Sequence, residues 1–133
     1  MNTLPDGLVK WYKFVSEQDM QALAEALADD VLFRSPFLWK PKEGKATTML
    51  YLRSAVRVLE DFTYHRQFAG DNAVVLEFSA HVGSLTVKGV DIIQFNTEGQ
   101  IVDFEVMVRP ANGLQALAAA MTQQLASADP REQ

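Results

Sequence analysis

The sequence predicts an α+β domain: a cone-shaped, curved antiparallel sheet covered by three N-terminal helices and one C-terminal helix. Three observations lead there. Apolar residues recur at helical spacing through the N-terminal part of the chain. From Phe62 to Val108 they alternate with polar residues, the period of half-buried strands. Short turn signals rich in Gly and Asn cut that second stretch at regular intervals, as in consecutive hairpins.

Leu8, Trp11, Tyr12 and Val15 share one helical face, and Pro5-Asp6 suits its start. Met20, Leu23, Ala24 and Leu27 repeat the spacing after Asp19, an N-cap residue, so a break is expected near Ser16–Gln18. Asp29-Asp30 is expected to end this second helix. Val31-Leu32-Phe33 reads as a short strand, stopped at Ser35-Pro36 because Pro36 has no N–H for a ladder. The irregular stretch Phe37–Gly44 carries Phe37 and Trp39, large aromatics that need a surface to cover. Met49, Leu52, Val56 and Leu59 mark the third helix.

In the strand-rich half, Phe62, Tyr64 and Phe68 are expected on one face and Thr63, His65 and Gln67 on the other. After the turn Ala69–Asn72, residues Ala73–Val82 put Val74, Leu76, Phe78, Ala80 and Val82 inward. Gly83-Ser84 joins this strand to Leu85–Phe95. Asn96–Gly99 turns into Ile101–Val108, with Val102, Phe104, Val106 and Val108 on one face opposite Asp103, Glu105 and Met107, and Pro110 stops it. Asn112 is expected to cap a final helix bearing Leu114, Leu117, Ala118, Met121 and Leu125. Ser127–Gln133 is a polar tail. The chain has no repeat and no linker, so residues 1–133 read as one domain with a core at about 8–125.

Composition sets limits. The 133 residues include no Cys, which excludes disulfides, thiolate catalysis and Cys-ligated metal. A net charge of −5 argues against nucleic acid or an anionic membrane as partner. No signal-peptide pattern opens the chain and no apolar run approaches a membrane span, so a cytoplasmic location is expected. Neither a metal-ligand set nor a Gly-rich phosphate loop is present, so no metal and no cofactor are expected.

Several segments, in their order and spacing, resemble one family. They are Ala26-Leu27-Ala28-Asp29-Asp30-Val31, Ser35-Pro36, Gly44-Lys45, Gly89-Val90-Asp91-Ile92-Ile93-Gln94-Phe95-Asn96 and Glu98-Gly99-Gln100-Ile101. This pattern resembles the nuclear transport factor 2-like, cystatin-like superfamily, in its SnoaL-like and ketosteroid-isomerase-like branch. The resemblance implies a homodimer and an apolar small-molecule pocket at the open end of the cone. Ketosteroid isomerases use an aspartate before the proline that follows the first strand as their base; here that position is Ser35. Their oxyanion-donating tyrosine on the first helix falls on Trp11, beside Tyr12. Their protonated strand aspartate falls on Asp91, and SnoaL-type cyclases use an aspartate as acid–base in a largely apolar cavity.

Asp91 is thus the candidate catalytic residue. It shares strand parity with Val87, Ile93 and Phe95, where a carboxyl is desolvated and its pKa rises. Trp11, Tyr12, Ser35, Phe37, Trp39, Tyr64, Phe78, Phe95 and Phe104 are the candidate substrate-binding residues, with Trp39 as rim or lid. Three readings stay open. One is a cofactor-free isomerase, cyclase or dehydratase acting on a hydrophobic small molecule through Asp91. The others are a non-catalytic ligand-binding module and a structural dimeric domain.

Overall fold

The structure, a computed structural model, describes residues 4–127. The rest of the predicted polar tail beyond Ser127 lies outside the described residues. Among the described residues, four helices accompany a six-stranded curved sheet. In chain order they are α1 (Asp6–Glu17), α2 (Met20–Ala26), β1 (Leu27–Arg34), β2 (Lys42–Glu43), α3 (Lys45–Val58), β3 (Glu60–Gly70), β4 (Ala73–Val82), β5 (Leu85–Phe95), β6 (Ile101–Arg109) and α4 (Ala111–Ser127). Among the described residues no helix is long and apolar enough to cross a membrane.

Local chemistry accounts for most boundaries. Gln18 takes a left-handed conformation, φ 53°, and ends α1. The Asp19 carboxylate then accepts the Ala22 N–H at 3.1 Å and starts α2. Two boundaries differ from expectation. The second helix stops at Ala26, before Leu27 and before Asp29-Asp30. Leu27 opens β1 because it pairs with Ile101 and is fully buried there, a tertiary contact that overrides helical spacing. Asn112 lies inside the first turn of α4, which begins at Ala111; its Oδ1 accepts the Gly113 N–H.

The strand order is β2-β1-β6-β5-β4-β3. The β3–β6 meander is antiparallel, as is β1 with β2, but β1 joins β6 in parallel, so the sheet is mixed. Hydrophobic alternation reports which face a residue takes and carries no information on the direction of its neighbour.

In β3 a bulge changes the expected faces. Tyr64 pairs with Phe78 and Gln67 with Leu76, which leaves His65 and Arg66 together opposite Glu77. The extra residue reverses the parity beyond it. Gln67 therefore faces inward, where it accepts the Tyr12 hydroxyl at 2.5 Å, and Phe68 is 56% exposed on the outer face.

The interior is divided. One apolar cluster packs Leu8, Trp11, Phe14 and Leu23 against Val74, Leu76, Ile93, Phe95, Ile101 and Phe104. A second packs Leu117 and Met121 of α4 against Ala80, Val82 and Val87. Tyr51 of α3 borders both. In the sheet between them, Gly89 is required for close approach: a Cβ there would run into the Met107 carbonyl oxygen and the Phe78 ring.

Candidate functional site

The two clusters do not meet everywhere, and a cavity remains where they face each other. It encloses about 820 Å³ of free space, its open mouth included. The sheet supplies Phe33, Phe62, Phe78, Asp91, Phe104, Val106 and Val108. Helix α3 supplies Tyr51, Leu52, Ala55 and Val56, with Leu59 just after its end, α4 supplies Leu117 and Met121, and α1 supplies Trp11 and Val15. Ser35, Pro36 and Phe37 complete the wall after β1. Asp91 is the one carboxylate of that lining.

Asp91 sits in mid-β5, with Leu76 and Val106 as its cross-strand neighbours, and is 4% exposed. Tyr64 on β3 donates its hydroxyl to Asp91 Oδ2 at 2.5 Å, and Trp11 Nε1 donates to the Tyr64 oxygen at 2.8 Å. An indole nitrogen can only donate, which fixes the sense of the chain: Trp11 to Tyr64 to Asp91. The other carboxylate oxygen, Oδ1, makes no hydrogen bond among the described residues. Burial pushes the Asp91 pKa from 3.8 to about 7, and the Tyr64 hydrogen bond restrains the rise. The Tyr64 pKa is itself raised well above its ordinary value, by burial first and by the neighbouring Asp91 charge second. Its ring is held edge-on to Phe62, centroids 4.9 Å apart, and Phe62 stacks on Phe78.

The structure brings Trp11, Ser35, Phe37, Phe78, Asp91 and Phe104 together around this space. Tyr64 stands behind Asp91 as its hydrogen-bond partner. Of the other residues expected at the site, Tyr12 and Phe95 do not line the cavity, and Trp39 stands beside it. Tyr12 packs edge-on against Tyr64 and points its hydroxyl at Gln67, away from the cavity. Phe95 is buried in the first cluster, beside Ile101, because β5 carries it past the cavity toward the closed end. Trp39 is 99% exposed and borders a shallow groove with Glu105 and Met107 that shares Ser35, Phe37, Val106 and Val108 with the cavity wall. The chain turns outward after Pro36, and an aromatic residue in a loop does not announce which side it will cover. Tyr51 and the two α4 residues were not anticipated as lining. For Tyr51 the signal was present, since it lies one residue before Leu52 and four before Ala55 on the inward helix face.

On the outer face, Arg66 donates from two nitrogens to Glu77, and Lys88 lies 3.3 Å from the same carboxylate. The Arg66 hydrogen bonds hold the Glu77 pKa down at about 2.

The sequence profile of the SnoaL-like domain matches residues 8–104. The chain belongs to the SnoaL-like family. Solved structures agree with that placement. A steroid delta-isomerase from Pseudomonas aeruginosa is 44% identical to this SnoaL-like domain, with a TM-score of 0.89 over 94% of this chain and 97% of that one. An uncharacterized protein conserved in bacteria, with a cystatin-like fold, from Silicibacter pomeroyi is 32% identical, with a TM-score of 0.84 over 90% and 85%. An NTF2-like protein of unknown function from Cytophaga hutchinsonii shares the fold at 18% identity, TM-score 0.64, over 84% and 95%. Among curated proteins no significant match is found.

Proposed function

We propose that this SnoaL-like domain binds a hydrophobic small molecule in the cavity and performs cofactor-free proton transfer on it, with Asp91 as the acid–base group. The observation that carries this reading is the Asp91 carboxyl. It lines an apolar cavity with one oxygen fixed by Tyr64 and the other free, and its pKa of about 7 suits it to hold or release a proton near neutrality. The carboxylate takes a proton from a carbon next to a carbonyl, and the C–H electron pair moves to form an enolate. Protonated Asp91 then returns the proton. Return to a different carbon is an isomerisation; cyclisation and dehydration can begin with the same step. The 44% identical neighbour named a steroid delta-isomerase supports this class of chemistry.

A second reading, a non-catalytic ligand-binding module, is favoured by Ser35. It stands where the ketosteroid-isomerase pattern has its base, and Asp91 is the one carboxylate lining the cavity. Incubation with 2-acetylnaphthalene in heavy water separates the two readings. Wild type should accelerate exchange of the methyl protons seen by NMR, and Asp91→Asn should lower that rate by about 100-fold or more. The wild-type rate should climb as pH rises through about 7, where the base form of Asp91 appears. Binding without exchange would establish the binding module instead. We also propose that the outer sheet face, with exposed Trp39 and Met107 beside it, pairs with a second copy of the chain.

A further inference from the structure

We propose that the Ser35 hydroxyl is the second polar contact of the cavity, donating its proton to the carbonyl oxygen of a ketone whose neighbouring carbon faces Asp91. The inference rests on the Asp91 reading above and names the substrate class: compact, apolar carbonyl compounds.

The Ser35 oxygen is already occupied as an acceptor. It takes the backbone N–H of Phe37 at 3.4 Å and of Leu38 at 3.2 Å, which ties down the turn after β1. Its hydroxyl hydrogen enters neither bond and finds no acceptor among the described residues, and Ser35 lines the cavity. The hydroxyl is therefore a donor awaiting a partner. Trp11, another N–H at the cavity, is engaged with Tyr64.

The end of β1 brings this donor to the same cavity as Asp91. Arg34, the last residue of β1, pairs with Glu105 in parallel, and Ser35 leaves the sheet immediately after it, next to Val106 on β6 in the chain's register. Val106 is itself the cross-strand partner of Asp91 on its other side. Val106 thus lies between the end of β1 and Asp91, and Ser35, Val106 and Asp91 all line the cavity. Two strand spacings separate the β1 and β5 backbones by about 9–10 Å. An enolising ketone asks for a similar span. A proton-transfer contact, two covalent bonds and one hydrogen bond together reach about 8 Å from carboxylate oxygen to donor oxygen. In this arrangement Ser35 holds the oxygen on which negative charge develops while Asp91 holds the proton.

The test compares affinities for 2-acetylnaphthalene and 2-isopropenylnaphthalene, which replaces the carbonyl oxygen by a methylene group of similar shape. The readout is the ketone-to-alkene affinity ratio, so alkene binding in each variant reports that the cavity is still formed. Ser35→Ala should lower the ratio about fivefold, the usual worth of one neutral hydrogen bond. Ser35→Thr should restore it, and Asp91→Asn and Tyr51→Phe should leave it near the wild-type value. A ratio unchanged in Ser35→Ala but lost in Asp91→Asn would overturn the proposal, because Asp91 would then be the carbonyl donor. Loss in Tyr51→Phe alone would overturn it in favour of the α3 hydroxyl. If neither probe bound wild type, the Asp91 reading would fall together with this one.

Discussion

Replacing Asp91 by Asn should change the pH dependence of stability more than stability itself. The Asn side chain is nearly the same shape and keeps an oxygen to accept the Tyr64 hydroxyl, but it cannot ionise. In wild type the carboxyl titrates at about 7 when folded, against an ordinary value of 3.8. Between those values the native state holds a proton that the unfolded state has released, so wild-type stability falls as pH rises through this window. The shift amounts to about 4 kcal/mol at about 1.4 kcal/mol per unit. Urea denaturation of both proteins should therefore give similar free energies near pH ~3.5 and diverge steadily above it. By pH ~8 Asp91→Asn should be the more stable by about 4 kcal/mol. A difference that stayed flat across the range would refute the reasoning, because it would mean that Asp91 ionises in the fold as easily as in the unfolded chain.

Tyr64→Phe removes the middle of the Trp11–Tyr64–Asp91 chain and leaves two polar groups unpartnered, at a cost of about 2 kcal/mol. It should also move the Asp91 titration above its present value, readable by carboxyl carbon NMR, since the Tyr64 bond now lowers it. Gly89→Ala forces a Cβ against the Met107 carbonyl and the Phe78 ring, and should lower unfolding stability by about 3 kcal/mol. Glu77 titrates at about 2 when folded, below its ordinary 4.5; its stabilisation is present above that ordinary value and lost as pH falls toward 2. The stability gap between wild type and Glu77→Gln should accordingly close on acidification in an acid-denaturation series. Light scattering at micromolar concentration should give the mass of two chains, and Met107→Glu, half exposed on the outer face, should reduce it to one.

The fold was legible because the apolar residues of β4 and β5 alternate: Val74, Leu76, Phe78 and Ala80 are all buried, as are Val87, Asp91 and Ile93, and only Glu77, covered by Arg66 and Lys88, breaks the burial pattern. Asp91 could be found for the same reason, as a carboxyl in an apolar parity class. Its partner Tyr64 was legible only as an inward aromatic. That its hydroxyl meets Asp91 depends on β3, β4 and β5 lying side by side, which no local spacing encodes. The bulge at His65-Arg66 was invisible in the same way, because an inserted residue looks like any other until its cross-strand neighbours are known. The full exposure of Trp39 was not readable because a loop has no period. Leu27 satisfied a helical and a strand pattern at once, and its contact with Ile101 decided between them.

The parallel seam between β1 and β6 joins the earliest strand to the last. Arg34 on one side grips both oxygens of Asp103 on the other, 69 positions along the chain. As the polypeptide emerges during synthesis, β1 has only the two-residue β2 to bond with until nearly everything else has been made. Joining such distant segments is entropically slow, and an unpaired edge invites other chains meanwhile. Phe33 and Phe104, which face each other across this seam, are both walls of the cavity. A nascent or truncated chain ending before β6 therefore has hairpins but lacks the Phe104, Val106 and Val108 wall, and the cavity is completed in a single late event.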